Sequence, residues 1–152
     1  MQGIFSIELH DKDTALLKNI QATLGVGKIY SPRTYTKQYK VTSVKDLQVV
    51  INHLDDYPLI TKKRSDYELF KLAINLIENK EHLTPEGLEK LVSIRASMNL
   101  GLTSDLKFAY PNITPYPKLK FWPSDIKDPN WLAGFTSGEG CLLILKNLKP
   151  LN

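Results

Sequence analysis

Two glycines four residues apart, Gly134 and Gly138, sit inside a segment from Trp131 to Gly140 that otherwise reads as a helix. In an ordinary helix interior each costs on the order of 1 kcal/mol relative to alanine, so something must offset them. The spacing puts both on one face, and Ala133 and Ser137 extend that face into a stripe of small side chains that lets a second backbone approach closely. Leu132 and Phe135 are expected to pack into the core of their own domain. Asp128 and Pro129 suit the helix start, and Glu139 with Gly140 suits its end. One carboxylate is thereby left at the end of a close helix pair, where a divalent metal can be held. The plainer alternatives are a helix-pairing segment without chemistry, or a glycine-containing helix with an incidental glutamate.

The rest of the chain has two regimes. Gly3 to His10 alternates Phe5, Ile7 and Leu9 with Ser6, Glu8 and His10, the period of a half-buried strand. Asp13 then suits an N-cap, Leu16, Leu17, Ile20 and Leu24 follow at helical spacing, and Gly25 stops the helix. Val26 to Tyr30 and Tyr35 to Thr42 are rich in β-formers around the turn Ser31-Pro32-Arg33-Thr34, and predict a hairpin. Beyond it three helices are expected: one from Ser43 up to Pro58, one starting at the capping box Ser65 to Glu68, and one capped by Thr84 with Pro85 at its first position. From Tyr110 to Asp128 four prolines and three lysines predict an extended, solvated linker. After the Trp131 helix, Cys141 to Leu145 reads as a strand.

Composition narrows the function classes. The formal charge is +4, a modest basic excess that fits a polyanion partner. Its distribution is more telling: no acidic residue occurs between Asp13 and Asp46, while Lys18, Lys28, Arg33, Lys37, Lys40 and Lys45 do. Cys141 is the only cysteine, which excludes a disulfide framework and zinc-finger spacing, and the three histidines match no metal-ligand pattern. No apolar run is long enough to span a bilayer, so no membrane partner is expected, and no leader pattern opens the sequence.

The segment Trp131-Leu132-Ala133-Gly134-Phe135-Thr136-Ser137-Gly138-Glu139-Gly140-Cys141 resembles the LAGLIDADG homing endonuclease motif at nearly every position, with Glu139 where the family more often has aspartate. Leu9 to Asp13, Leu24 to Gly27, Tyr57 to Thr61, Asn79 to Thr84 and Met98 to Leu102 also resemble segments of two-motif, intron-encoded members from fungal organelles. The resemblance implies an α+β fold built from αββαββα half-domains, each giving one motif helix to a central interface and one antiparallel saddle-shaped sheet to DNA. On that frame residues 1–109 are a first half-domain lacking its motif helix and first strand, 110–128 are a linker, and 129–152 begin a second half-domain. The chain is thus expected to be a fragment, incomplete at both ends.

Several functional expectations follow from the resemblance. Glu139, with Gly138 beside it, holds Mg2+ as one half of a phosphodiester-hydrolysing site, while Gly134, Gly138, Ala133 and Ser137 pack against a second motif helix. The sheet meets double-stranded DNA in the major groove through Ser6, Glu8, Lys28, Tyr30, Thr36, Gln38 and Lys40, with Arg33 and Lys37 near the hairpin tip on phosphates. The opposite face, carrying Phe5, Ile7, Leu9, Val26, Ile29, Tyr39 and Val41, packs on helices. Partners are double-stranded DNA and a missing half-domain or second copy of the chain, in a mitochondrion. The alternatives are a maturase-like protein that binds its intron RNA and an inactive remnant of an intron reading frame.

Overall fold

In the computed structural model, strand β1 (Phe5–His10) leads through a 3-10 turn (Asp11–Asp13) into helix α1 (Thr14–Leu24), followed by strands β2 (Lys28–Tyr30) and β3 (Thr36–Val41). The structure describes residues 2–120, 126 and 128–139, excepting the side chains of 138 and 139. Helices α2 (Val44–Asp56), α3 (Lys63–Glu78), α4 (Pro85–Ser97) and α5 (Ser104–Ala109) come next, and α6 (Pro129–Glu139) carries the glycine pair. The chain divides into two units, 1–121 and 122–152. The mixture of strands and helices is the α+β class that the resemblance implies.

Strands β1, β2 and β3 form an antiparallel sheet in spatial order β1-β3-β2. The sheet is pinned in register by its alternation, because a one-residue slip would carry the apolar set to solvent. Leu17 of α1, Leu47, Val50 and Ile51 of α2 and Tyr67 and Ile74 of α3 form one buried cluster with Tyr39 and Val41 of β3. Phe5, Ile7, Leu9, Val26 and Ile29 pack against that cluster, so the apolar face lies where the alternation puts it. Helix α3 has a second apolar side, where Leu69 and Leu76 meet Leu91 and Ile94 of α4.

The helix boundaries show where local chemistry is overridden. Thr84 caps α4 as expected, its Oγ1 accepting from the Gly87 amide at 3.1 Å. Gly25 ends α1 with φ +69°, the left-handed conformation that suits a stop. Helix α3 instead starts at Lys63, two residues before the predicted capping box, and the Ser65 hydroxyl donates to the Leu119 carbonyl rather than capping. Ser43 and Asp13 stand at N-cap positions but make no side-chain cap hydrogen bond. The short helix α5, capped by Thr103, has too few residues to show a period in the sequence.

Residues 110–120 are exposed except for Tyr110, Ile113 and Tyr116, and they are also tied to the helices by hydrogen bonds. The Tyr116 amide donates to the Ser93 carbonyl at 3.0 Å, while the Ser93 and Ser97 hydroxyls donate to the Thr114 and Tyr116 carbonyls, each at 2.6 Å. Lys118 pairs with Asp66 at 2.7 Å. Prolines prevent regular structure there, but the freed carbonyls still find donors on α4.

Candidate nucleic-acid interface and motif helix

The solvent face of the sheet is assembled by cross-strand register. Ser6, Lys40 and Lys28 form one row, Glu8, Gln38 and Tyr30 the next, and His10 and Thr36 a third. Seven of these eight residues are the ones predicted for DNA on this face; the eighth, His10, shares their side by alternation but carries no expected role. Ser6, Glu8, His10, Lys28 and Tyr30 are exposed, and Thr36, Gln38 and Lys40 are half-buried in the central strand. Gln38 Nε2 donates to Glu8 Oε2 at 3.3 Å.

The hairpin end is organised differently from the flat face. Arg33 is exposed in the turn, and its carbonyl accepts from the Thr36 amide and hydroxyl, both at 3.3 Å. Lys37 falls on the side of Tyr39 and Val41, and its ammonium donates to the Ser31 hydroxyl at 2.6 Å. Tyr35 takes φ +61° and stacks on His10, ring centroids 6.3 Å apart and planes 12° apart. Strand alternation does not foresee that pair, because its period does not extend to a residue in the left-handed region.

Support for the face comes from behind it. The Tyr39 hydroxyl donates to the Val26 carbonyl at 2.8 Å, and Gln21 Nε2 donates to the Gly27 carbonyl at 2.8 Å, fixing the approach to β2. Burial, then the Asp46 carboxylate, pushes the Tyr39 phenol above its ordinary pKa, so it stays a neutral donor. Beyond the sheet, α3 opens with the exposed Lys62 and Lys63, to which sequence reasoning gives no role.

In α6 the Asn130 amide donates to Asp128 Oδ1 at 2.8 Å, the N-terminal bond expected of that aspartate. Trp131 and Phe135 stack 5.2 Å apart with planes at 7°, and Ser137 donates back to the Ala133 carbonyl at 2.8 Å. Ala133, Gly134 and Ser137 are exposed, and among the described residues no atom beyond the backbone of α6 lies within 4 Å of where a Gly134 Cβ would stand. Leu132 and Phe135 are 50% and 47% exposed. Glu139 is the last helical residue; its side chain and that of Gly138, Gly140 and the expected strand 141–145 lie outside the described residues. Among the described residues no group of three or more His, Cys, Asp or Glu could hold a metal ion, and no helix is long and apolar enough to cross a membrane.

The profile of the LAGLIDADG endonuclease family matches residues 1–74, the segment that builds the sheet and the helices behind it. A probable intron-encoded DNA endonuclease aI1 of Mycosarcoma maydis is 35% identical over 88 residues, covering 56% of this chain and 73% of that protein. The chain belongs to the LAGLIDADG endonuclease family. The probable intron-encoded endonuclease 3 of Neurospora crassa is 43% identical over 139 residues, which is 90% of this chain and 26% of the relative. The LAGLIDADG meganuclease I-CpaMI bound to uncleaved DNA matches with a TM-score of 0.86 and 48% identity over 90% of this chain and 47% of that one. I-SmaMI, bound to an uncleaved DNA target in the presence of calcium ions, matches with a TM-score of 0.86 and 41% identity over the same shares. The chain therefore spans about a quarter of the Neurospora relative's length and about half of each of these solved LAGLIDADG enzymes.

Proposed function

We propose that this chain is part of a site-specific homing endonuclease and that its sheet lies in the major groove of double-stranded DNA. The observation that carries the reading is Lys28 opposite Lys40 on the solvent face. Like charges directly opposite each other destabilise a sheet, so the pair suits a surface that meets a polyanion. Gln38 and the lysines offer donors matched to base edges and phosphates, and Arg33 at the exposed turn suits a phosphate. The half-length match to two DNA-bound meganucleases supports the same placement. We place residues 1–109 in a first half-domain and α6 at the start of a second, in a protein encoded by a mitochondrial intron.

The hydrolytic part of the reading rests on Glu139. A carboxylate is the hard oxygen donor that Mg2+ prefers, and the chemistry of that donor fits the metal. One carboxylate is half of a site, so a second is needed from a facing motif helix. When bound, the metal supplies an activated water and charge stabilisation at the scissile phosphate. The small face of Ala133, Gly134 and Ser137 would let that facing helix come close enough to bring its carboxylate beside Glu139.

The test is duplex binding by fluorescence anisotropy for Lys28→Glu and Lys40→Glu beside Lys90→Glu, a control on exposed α4 surface. Weaker binding for the two sheet variants alone is expected, with the slope of log K against log salt lowered by about one for each phosphate that is no longer neutralised. Equal binding by all three proteins would overturn the reading. For Glu139→Gln, loss of metal-dependent cleavage with duplex binding retained is expected once a complementary half-domain is supplied.

A second reading, binding of intron RNA, draws on the stacked His10 and exposed Tyr35, since unpaired bases stack on aromatic rings. Competition between duplex DNA and a structured RNA for the same sheet separates the two.

A further inference from the structure

Glu8 is the only carboxylate among the described residues on the solvent face of the sheet. It stands one row from the Lys28 and Lys40 row, yet among the described residues it makes no ion pair, and the hydrogen bond it accepts comes from Gln38. A carboxylate has acceptors only, so it repels phosphate and has no donor to offer guanine O6, guanine N7 or thymine O4. The groups of a duplex that it can meet favourably in the major groove are exocyclic amines. Cytosine N4 suits it best, because adenine sets an acceptor, N7, beside its amine.

We propose, resting on the DNA-binding reading above, that Glu8 is a specificity-determining residue that accepts a hydrogen bond from the N4 amine of one cytosine in the target. Gln38 is its positioning residue. By donating one amide hydrogen to Glu8 Oε2, Gln38 restrains the carboxylate against the flat face and leaves the other oxygen for the base. Lys28 and Lys40 supply attraction that is indifferent to sequence, and Glu8 subtracts from it wherever no cytosine amine faces it. Discrimination at this position therefore comes largely from rejecting wrong bases.

The experiment is selection of bound duplexes from a randomised library by the full chain, its Glu8→Ala and Glu8→Gln variants, and Gln38→Leu. Thermal melts check that each variant is folded. The original chain is expected to prefer cytosine at one position by roughly five- to 150-fold, the range of a good base contact. Glu8→Ala should abolish that preference alone while binding unselected duplex more tightly, because a negative charge has been removed. Glu8→Gln should lose it too, and Gln38→Leu should weaken it without removing it. Base preferences unchanged in Glu8→Ala, or reduced evenly at every position, would overturn the proposal while leaving the DNA-binding reading standing. Failure of the original chain to bind any duplex would overturn that underlying reading and this one with it.

Discussion

Lys28 and Lys40 face each other in register across the β2–β3 ladder, on the side of the sheet turned to solvent. Two like charges so placed destabilise the strand pairing of the free protein. Lys28→Thr, which keeps a β-former on the strand, is expected to raise the melting temperature of the free chain slightly and to weaken duplex binding. Thermal melts and binding isotherms on the same preparation check both. A variant that gained stability without losing affinity would remove the functional reason for the pair.

Gly27 and Gly25 separate conformational from steric need. Both have positive φ, +80° and +69°. A Cβ on Gly27 would lie 2.7 Å from the Tyr39 ring, 2.8 Å from Val41 Cγ2 and 2.9 Å from the Lys40 carbonyl oxygen, whereas among the described residues nothing beyond its chain neighbours stands within 4 Å of one on Gly25. Gly25→Ala is expected to cost about 1 kcal/mol, the strain of the left-handed region. Gly27→Ala should cost about 2 kcal/mol or more, because backbone and a buried ring must also shift. Urea denaturation of both variants measures the difference, and equal midpoints would deny the close packing behind β2.

Asp55 and Tyr67 join α2 to α3. The Tyr67 hydroxyl lies 2.9 Å from the Ile51 carbonyl and 2.6 Å from the Asp55 carboxylate, and Lys71 donates to the other Asp55 oxygen. The hydrogen bond from Lys71, then that from Tyr67, holds the Asp55 pKa below its ordinary value. A depressed folded-state pKa gives stability that is present above the unfolded value, about 3.9, and is lost as pH falls through the folded one. Tyr67 is shifted upward, chiefly by burial and then by Asp55, so its contribution is present below the unfolded value near 10 and is lost only as pH rises through the higher folded one. Asp55→Asn is therefore expected to flatten the acid limb of the melting temperature against pH and to leave the slope near neutrality unchanged. An unchanged acid limb would show that the pair does not couple to folding.

Where period is strong, sequence and structure agree. Strand alternation places Phe5, Ile7 and Leu9 against the helices and Ser6, Glu8, Lys28, Gln38 and Lys40 outward, because the side-chain period of a strand admits only two faces. Lys37 illustrates what that rule omits: its parity sends it inward, but at the strand end its long stem reaches the Ser31 hydroxyl. The capping box puts the start of α3 two residues late because the Ser65 hydroxyl finds a carbonyl 54 residues away, a partner that no local pattern reveals. The same holds for residues 110–120, whose prolines describe the backbone truthfully and say nothing of the α4 hydroxyls that receive it. Tyr35 is not legible as a partner of His10 because its left-handed backbone lies outside either regular period.

Gly134 offers the sharpest separation between folding and assembly. In α6 it meets open space, so alanine there fits without a clash and, by helix propensity alone, should strengthen the helix by about 1 kcal/mol. The functional reading gives the opposite sign for the assembled enzyme, since a methyl group on the face shared with Ala133 and Ser137 would hold a second motif helix away. Gly134→Ala is thus expected to raise the helicity of the Pro129–Glu139 segment measured by circular dichroism on a peptide. In a protein completed with a second half-domain, it should lower metal-dependent cleavage while leaving duplex binding through the sheet within about twofold, a free-energy change under about 0.5 kcal/mol. A loss of cleavage shared equally by Ser137→Ala would point to a different cause, because alanine in place of serine adds no bulk to that face. Full cleavage in Gly134→Ala would mean that the glycine is not there for the approach of another helix.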